Sequence, residues 1–357
     1  MSEPLTDALM SGVDAVLNYL SQHVLTCLIP AFFIAGAIVA FVKKDAILKY
    51  FGASVVKWKS YSIASVSGAV LAVCSCTILP IFTGIYKRGS GIGPATTFLF
   101  AGPAINILAI IYTAQVLGYD LGVARAFAAV SGSIIVGLAM AYLFKREERK
   151  RQADGNFGAE KGAVGHQISG KVTLLFFALL VLVLVIGASQ LDAMLRLVSV
   201  YILTVAVALV LIYYFRKEEV TEWGMETWDL AKKIFPILVA GTFVVGLIAY
   251  FLPPSTFQPY LGENSVPAVF ISSVLGAILY MPTLLEVPII GTTFGYTTGA
   301  MAGGPALALL LTGPTISLPS MIVLWRVFGG RHTLAYVMLT IAVAMVFGLL
   351  LGPFITR

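Results

Sequence analysis

Residues Ser65–Ile81 read SVSGAVLAVCSCTILPI, and residues Ser273–Ile289 read SVLGAILYMPTLLEVPI. At a constant offset of 208 residues, Ser65, Val66, Gly68, Ala69, Leu71, Pro80 and Ile81 recur as Ser273, Val274, Gly276, Ala277, Leu279, Pro288 and Ile289. After a three-residue insertion, GPATTFLFAGPAIN from Gly93 matches GPALALLLTGPTIS from Gly304. Two greasy helices alike by chance would not both place two Gly-Pro pairs nine residues apart. A fixed internal period is the mark of a duplicated architecture, so the chain reads as two homologous halves.

Working outward, the composition sets the solvent. Of 357 residues, 59% are apolar and 11% charged, against about 25% charged in soluble domains. Long apolar segments lie near 23–42, 61–86, 95–116, 123–144, 172–190, 197–215, 234–252, 266–295, 303–325 and 333–354. Most are long enough for a helix to cross a hydrocarbon layer about 30 Å thick. The expected fold is an all-α polytopic membrane protein. Its net charge of +6 sits in loops between the segments, which positive-inside topology explains without a nucleic-acid partner. No Lys or Arg precedes Lys43, so a cleavable signal is not expected. Cys27, Cys74 and Cys76 fall inside apolar stretches and form no disulfide framework.

The expected organisation is an interfacial amphipathic helix at 1–22, a first transmembrane repeat at 23–144, a basic linker at 145–171, two connecting helices at 172–215, a cytoplasmic loop at 216–233 and a second repeat at 234–357. Orientation depends on which segments cross. If all ten do, the repeats are parallel, and Lys43, Lys44, Lys49, Lys57 and Lys59 fall outside, against the charge rule. If 61–86 and 266–295 are re-entrant hairpins, the loops at 43–60, 84–93, 145–170, 216–233 and 326–331 share the cytoplasmic side. The repeats are then inverted, with broken helices meeting near the midplane as in many secondary transporters.

The hairpin tips carry the chemistry. Cys74, Ser75, Cys76 and Thr77 precede Pro80, which leaves the Cys76 carbonyl without its helical donor, so regular helix is not expected to continue there. Only a broken or extended tip turns both thiols toward one soft solute; as small apolar residues they would equally well pack a bundle. The matching tip has Pro282, Glu286 and Pro288. Glu286 is the one acidic residue deep in a long apolar segment, where an unpaired carboxylate is expensive. It is expected to couple to a proton or bind a cation, the alternative being a Glu lodged near the interface or hydrogen-bonded structurally. Gly102-Pro103 and Gly313-Pro314 are expected to interrupt the following segments, with Asn106 and Ser317 just beyond. Asn106 is expected to line the path; Ser317 reads better as helix–helix glue. His23, His166 and His332 lack metal-ligand spacing and read as structural. The chain has no Walker sequence, so no ATPase domain is expected. The sequence asks for no cofactor and fixes no oligomeric state.

At Cys74-Ser75-Cys76-Thr77-Ile78-Leu79-Pro80, together with GPATTFLFAGPAINI, the chain resembles the predicted-permease family that includes the YraQ and ArsP groups, from about residue 20 to residue 350. The resemblance implies a permease. Its ArsP members are regarded as exporters of trivalent organoarsenicals such as methylarsenite. It makes Cys74 and Cys76 candidates for contacting the metalloid, and Glu286 matches the family's second-half acidic position. The function expected is export of a small thiophilic solute across the cytoplasmic membrane of a bacterium or archaeon. Two alternatives are a transmembrane thiol redox carrier, and a permease for a sulfur-containing or other small anion.

Overall fold

The computed structural model describes residues 3–21, 28–41, 50, 57–71, 75–153, 170–187, 192–251, 257, 259–279, 281 and 285–355, and no strand occurs among them. In hydrocarbon every backbone N–H and C=O needs a partner within the segment, and helix is the local solution throughout. The first half contains α1 (Glu3–Tyr19), α2 (Ile29–Phe41), α3 (Lys57–Leu71), α4 (Ser75–Lys87), α5 (Ile92–Ala104), α6 (Ile107–Val116) and α7 (Tyr119–Leu143). Next come α8 (Lys145–Ala153), α9 (Gly170–Gly187) and α10 (Ala193–Tyr214). The second half contains α11 (Lys217–Phe251), α12 (Val266–Ile278), α13 (Glu286–Pro288), which runs into a π-turn at Ile289–Thr293, α14 (Gly303–Thr315), α15 (Leu318–Phe328) and α16 (Gly330–Leu351). Among the described residues four helices are long and apolar enough to cross a bilayer, or six if each of two bent pairs is one span.

Several elements differ from expectation. Helix α4 continues through Pro80; it starts at Ser75, so the proline removes only the bond to the Cys76 carbonyl. The expected loop at 216–233 is helical, and forms the first turns of the 35-residue α11. The charged linker is helical over Lys145–Ala153. The segments 95–116 and 303–325 are bent pairs, α5/α6 at 41° and α14/α15 at 49°. Their breaks fall just past the Gly-Pro pairs, because Ile105 N still donates to Ala101 O and Ile316 N to Thr312 O, both at 2.9 Å. Helix α1 packs along the apolar end of α11, where Ser11 Oγ donates to Gly246 O at 3.0 Å.

Polar contacts fix the direction of each helix. At one end Ile92 N donates to Glu148 Oε1 at 2.7 Å, Arg331 Nη1 lies 3.2 Å from Glu147 Oε1 and His332 Nε2 3.1 Å from Glu147 Oε2. Half-buried Arg88 also sits here; burial lowers its pKa, while Glu222 and Glu226 act to raise it. At the other end Gly304 N donates to Asn264 Oδ1 at 2.7 Å, and Gly304 N would lie 3.0 Å from a methyl on Gly352. The 22 residues of α16 span about 33 Å between these ends. Helices α5 and α14 therefore start from opposite ends, as do α7 and α16.

The packing recurs as well. A methyl on Gly68 would lie 2.9 Å from Gly102 N, and one on Gly276 would lie 2.9 Å from Gly313 N. Likewise a methyl on Gly137 would lie 2.9 Å from Gly93 O, and one on Gly348 2.9 Å from Gly304 O. Glycine at these crossings lets backbones approach more closely than any side chain permits. Helices α5 and α14 are buried at all 13 of their positions, which places them at the centre of the bundle and in contact with each other. In the first half Ser62, Ile63, Val66 and Ser67 of α3 share one groove of about 600 Å³ with Ile81 and Ile85 of α4. Along a straight path Ile63 and Ile85 would be about 33 Å apart, so α3 and α4 do not continue in one line; each packs against α5 rather than along the other.

Candidate functional site

Glu286 opens α13 and is fully buried. It has a partner from the other half: its Oε1 accepts a hydrogen bond from Arg125 Nη2, and the two form a buried ion pair. Arg125 is also fully buried. Its Nη1 donates to Thr113 Oγ1 at 2.8 Å, Thr113 Oγ1 donates to Ala109 O at 2.7 Å, and Asn106 Oδ1 accepts from Ala109 N at 3.3 Å. A polar chain thus runs from the break between α5 and α6, up α6, to the guanidinium and across to the second half.

Local structure explains each position. Asn106 caps the N-terminus of α6, satisfying an amide the break would otherwise strand. The turn between α6 and α7 is tight because Gly118 takes φ +115°, a conformation side chains disfavour, and it folds α6 back so that Thr113 faces Arg125. A methyl on Gly291 would lie 3.1 Å from Leu117 Cδ2, so the π-turn after α13 rests on this same corner. π-turns are rare and concentrate at functional sites.

The positions that match between the halves carry different chemistry. In the first half Ile78 lies over Gly102, its Cδ1 2.7 Å from where a methyl on Gly102 would sit. In the second, Glu286 Oε2 lies 3.6 Å and Met281 Cε 3.7 Å from the corresponding point on Gly313. Glu286 occupies the position matching Ile78, and Tyr336, fully buried, occupies the position matching Arg125. Among the described residues neither Glu286 Oε2 nor Arg125 Nε has a hydrogen-bond partner.

The other candidates are placed as follows. Thr77 and Pro80 are buried on α4. Ser75 and Cys76 lie in the first turn of α4, but their side chains, like Cys27, Cys74, His23, His166 and Pro282, lie outside the described residues. Pro288 ends α13; Pro103 and Pro314 each stand next to last in α5 and α14. Ser317 Oγ bonds Ser320 Oγ at 2.8 Å, a contact local to the start of α15 and not one between helices. Among the described residues no three His, Cys, Asp or Glu side chains converge as a metal site would require. Sequence reasoning missed Arg125 because the apolar run was drawn from 123, where a basic residue reads as interfacial. The helix starts at Tyr119, which carries Arg125 about 9 Å along the axis.

The family model of the predicted permeases designated ArsP_1 matches residues 10–352. The chain is 41% identical over 355 residues to the UPF0718 protein MJ0584 of Methanocaldococcus jannaschii, covering 95% of this chain and 94% of that one. It is 23% identical over 313 residues to the UPF0718 protein YraQ of Escherichia coli, covering 87% and 71% respectively. No solved structure matches it.

Proposed function

The chain belongs to the predicted-permease family, and from that premise we propose that it exports a small thiophilic solute, a trivalent organoarsenical such as methylarsenite, by proton-coupled alternating access. The observation that carries this reading is the buried Arg125–Glu286 pair, with one partner from each half, set where the helices break. In alternating access one half rocks against the other around a fixed site. A pair that bridges the halves must then rearrange in each cycle. A proton delivered to Glu286 cancels its charge, weakens its hold on Arg125 and frees the halves to move. The thiols of Cys74 and Cys76, on the other tip, supply soft ligands suited to As(III). The oppositely directed equivalent helices and the recurring glycine crossings support a duplicated, inverted architecture. The archaeal and bacterial relatives favour the cytoplasmic membrane of a prokaryote.

The buried guanidinium gives a specific reason to keep a second reading, a permease for a small sulfur-containing anion, in which Arg125 binds and the thiols are bystanders. Accumulation of methylarsenite in arsenic-sensitive cells separates the two. Wild type is expected to lower accumulation, and Cys74→Ser/Cys76→Ser and Glu286→Gln to abolish the effect at normal expression. Export that is retained in the double cysteine variant removes the soft-ligand role. Export indifferent to an imposed pH gradient removes the proton coupling.

A further inference from the structure

We infer that the notch over Gly313 is a solute subsite in which Glu286 Oε2 accepts a hydrogen bond from a hydroxyl of the transported molecule. This identifies a contact within the site just proposed and rests on that reading for the identity of the solute. Glu286 is fully buried, and Arg125 takes up only Oε1, which leaves Oε2 without a partner among the described residues. A buried carboxylate oxygen with no donor is costly, more so than a neutral group. Oε2 borders a gap between Gly313 and the Met281 methyl that holds one methyl-sized group, since a methyl on Gly313 would make only ordinary contacts, at 3.6 and 3.7 Å. The corresponding space over Gly102 is closed, because Ile78 fills it to 2.7 Å. The opening is therefore particular to the half that carries the charge.

The chemistry of the lining selects the ligand. A carboxylate oxygen accepts and repels other acceptors, so the group entering must donate. The Met281 methyl and thioether offer a soft, apolar wall beside it. A small neutral molecule with hydroxyl groups on a polarisable centre meets both demands; a trivalent arsenical in water carries its hydroxyls in that way, and methylarsenite keeps one for Oε2 when a single thiol displaces the other as water. Arg125 acts here as a positioning residue: it holds one carboxylate oxygen and leaves the other presented to the notch.

The test uses the purified full chain and three arsenicals that keep the soft atom while losing donors: methylarsenite with two hydroxyls, dimethylarsinous acid with one and trimethylarsine with none. Wild type is expected to lose about ten- to hundredfold in affinity across the series, the range for a hydrogen bond to a charged acceptor. Because thiols displace the same hydroxyls as water, the subsite is read from the difference between chains. Gly313→Ala, with its thiols intact, is expected to fold normally and to bind methylarsenite more weakly while its affinity for trimethylarsine stays unchanged. A fall identical to that of wild type overturns the subsite. Equal wild-type affinity for all three overturns the subsite. If wild type binds none of them, the arsenical reading fails, and infrared spectroscopy decides the subsite with water as the hydroxyl probe. The Glu286 carboxylate band, assigned by its loss in Glu286→Gln, is expected to shift in Gly313→Ala and to return in Gly313→Ser, whose own hydroxyl reaches Oε2. A band unmoved by Gly313→Ala means that no donor reaches Oε2, and the subsite falls.

Discussion

A guanidinium and a carboxylate taken out of water each lose several kcal/mol of solvation, and their mutual attraction compensates only while both are present. Arg125 and Glu286 are in that position, both fully buried and on different halves of the bundle. Removing the cation alone, as in Arg125→Met, strands the carboxylate and is expected to lower stability by about 3–5 kcal/mol. Arg125→Met/Glu286→Gln, which removes both charges, is expected to recover most of that loss while still failing to export. Thermal unfolding in detergent checks both, and an Arg125→Met protein as stable as wild type would mean that the pair does not form. The glycine notches give a second contrast. Gly102→Ala is expected to destabilise by about 1–3 kcal/mol through overpacking against Ile78, and Ile78→Ala in the same chain to relieve it, because only the Ile78 Cβ then remains, at 3.6 Å. Glu286 was legible in the sequence as a charge out of place. Arg125 was not: it stands 161 residues from its partner, and no local pattern links them.

Among the elements, the apolar segments were legible because hydrocarbon leaves the backbone little choice but helix. What periodicity could not show was where a helix bends or ends. The Gly-Pro pairs pointed to breaks in α5 and α14, yet each helix runs one residue past its proline and stops at the next two positions. A proline removes one donor four residues from the carbonyl it strands, so the disruption it marks is near it and not at it. Pro80 shows the same limit, since α4 passes through it. The loop expected at 216–233 failed for a different reason: a polar stretch reads as loop when its neighbours are apolar, whereas here it extends a transmembrane helix out of the bilayer. The helix crossings yield a paired prediction. Gly137→Ala and Gly348→Ala each set a methyl about 2.9 Å from a carbonyl oxygen of the facing helix, closer than packed atoms allow. Both are expected to lose about 1–3 kcal/mol, read as a lowered unfolding temperature. A loss from one without the other would mean that the two crossings are not equivalent.

For the whole molecule the deciding question is which loops share a side of the membrane. In a parallel arrangement of ten crossings, the loops after the second and ninth segments face opposite sides, so Lys87 and Arg331 are separated by the bilayer. The contacts of the fold put them together: Ile92, in the first turn of α5, is tied to Glu148, and Arg331 is tied to the neighbouring Glu147. Lys217 begins the helix whose Glu222 and Glu226 act on Arg88, which brings it to the same end. Glu263 lies at the other end, beside the Asn264 that holds Gly304. In a chain carrying Cys27→Ser, Cys74→Ser and Cys76→Ser, single cysteines introduced as Lys87→Cys, Lys217→Cys and Arg331→Cys are therefore expected to react with a membrane-impermeant maleimide from the same side. Glu263→Cys is expected to react only from the opposite side. Lys87→Cys and Arg331→Cys labelling from opposite faces would make the repeats parallel and remove the inverted geometry. With that geometry would go the argument that the two tips, one bearing thiols and one the carboxylate, approach a common site from the two sides of the membrane.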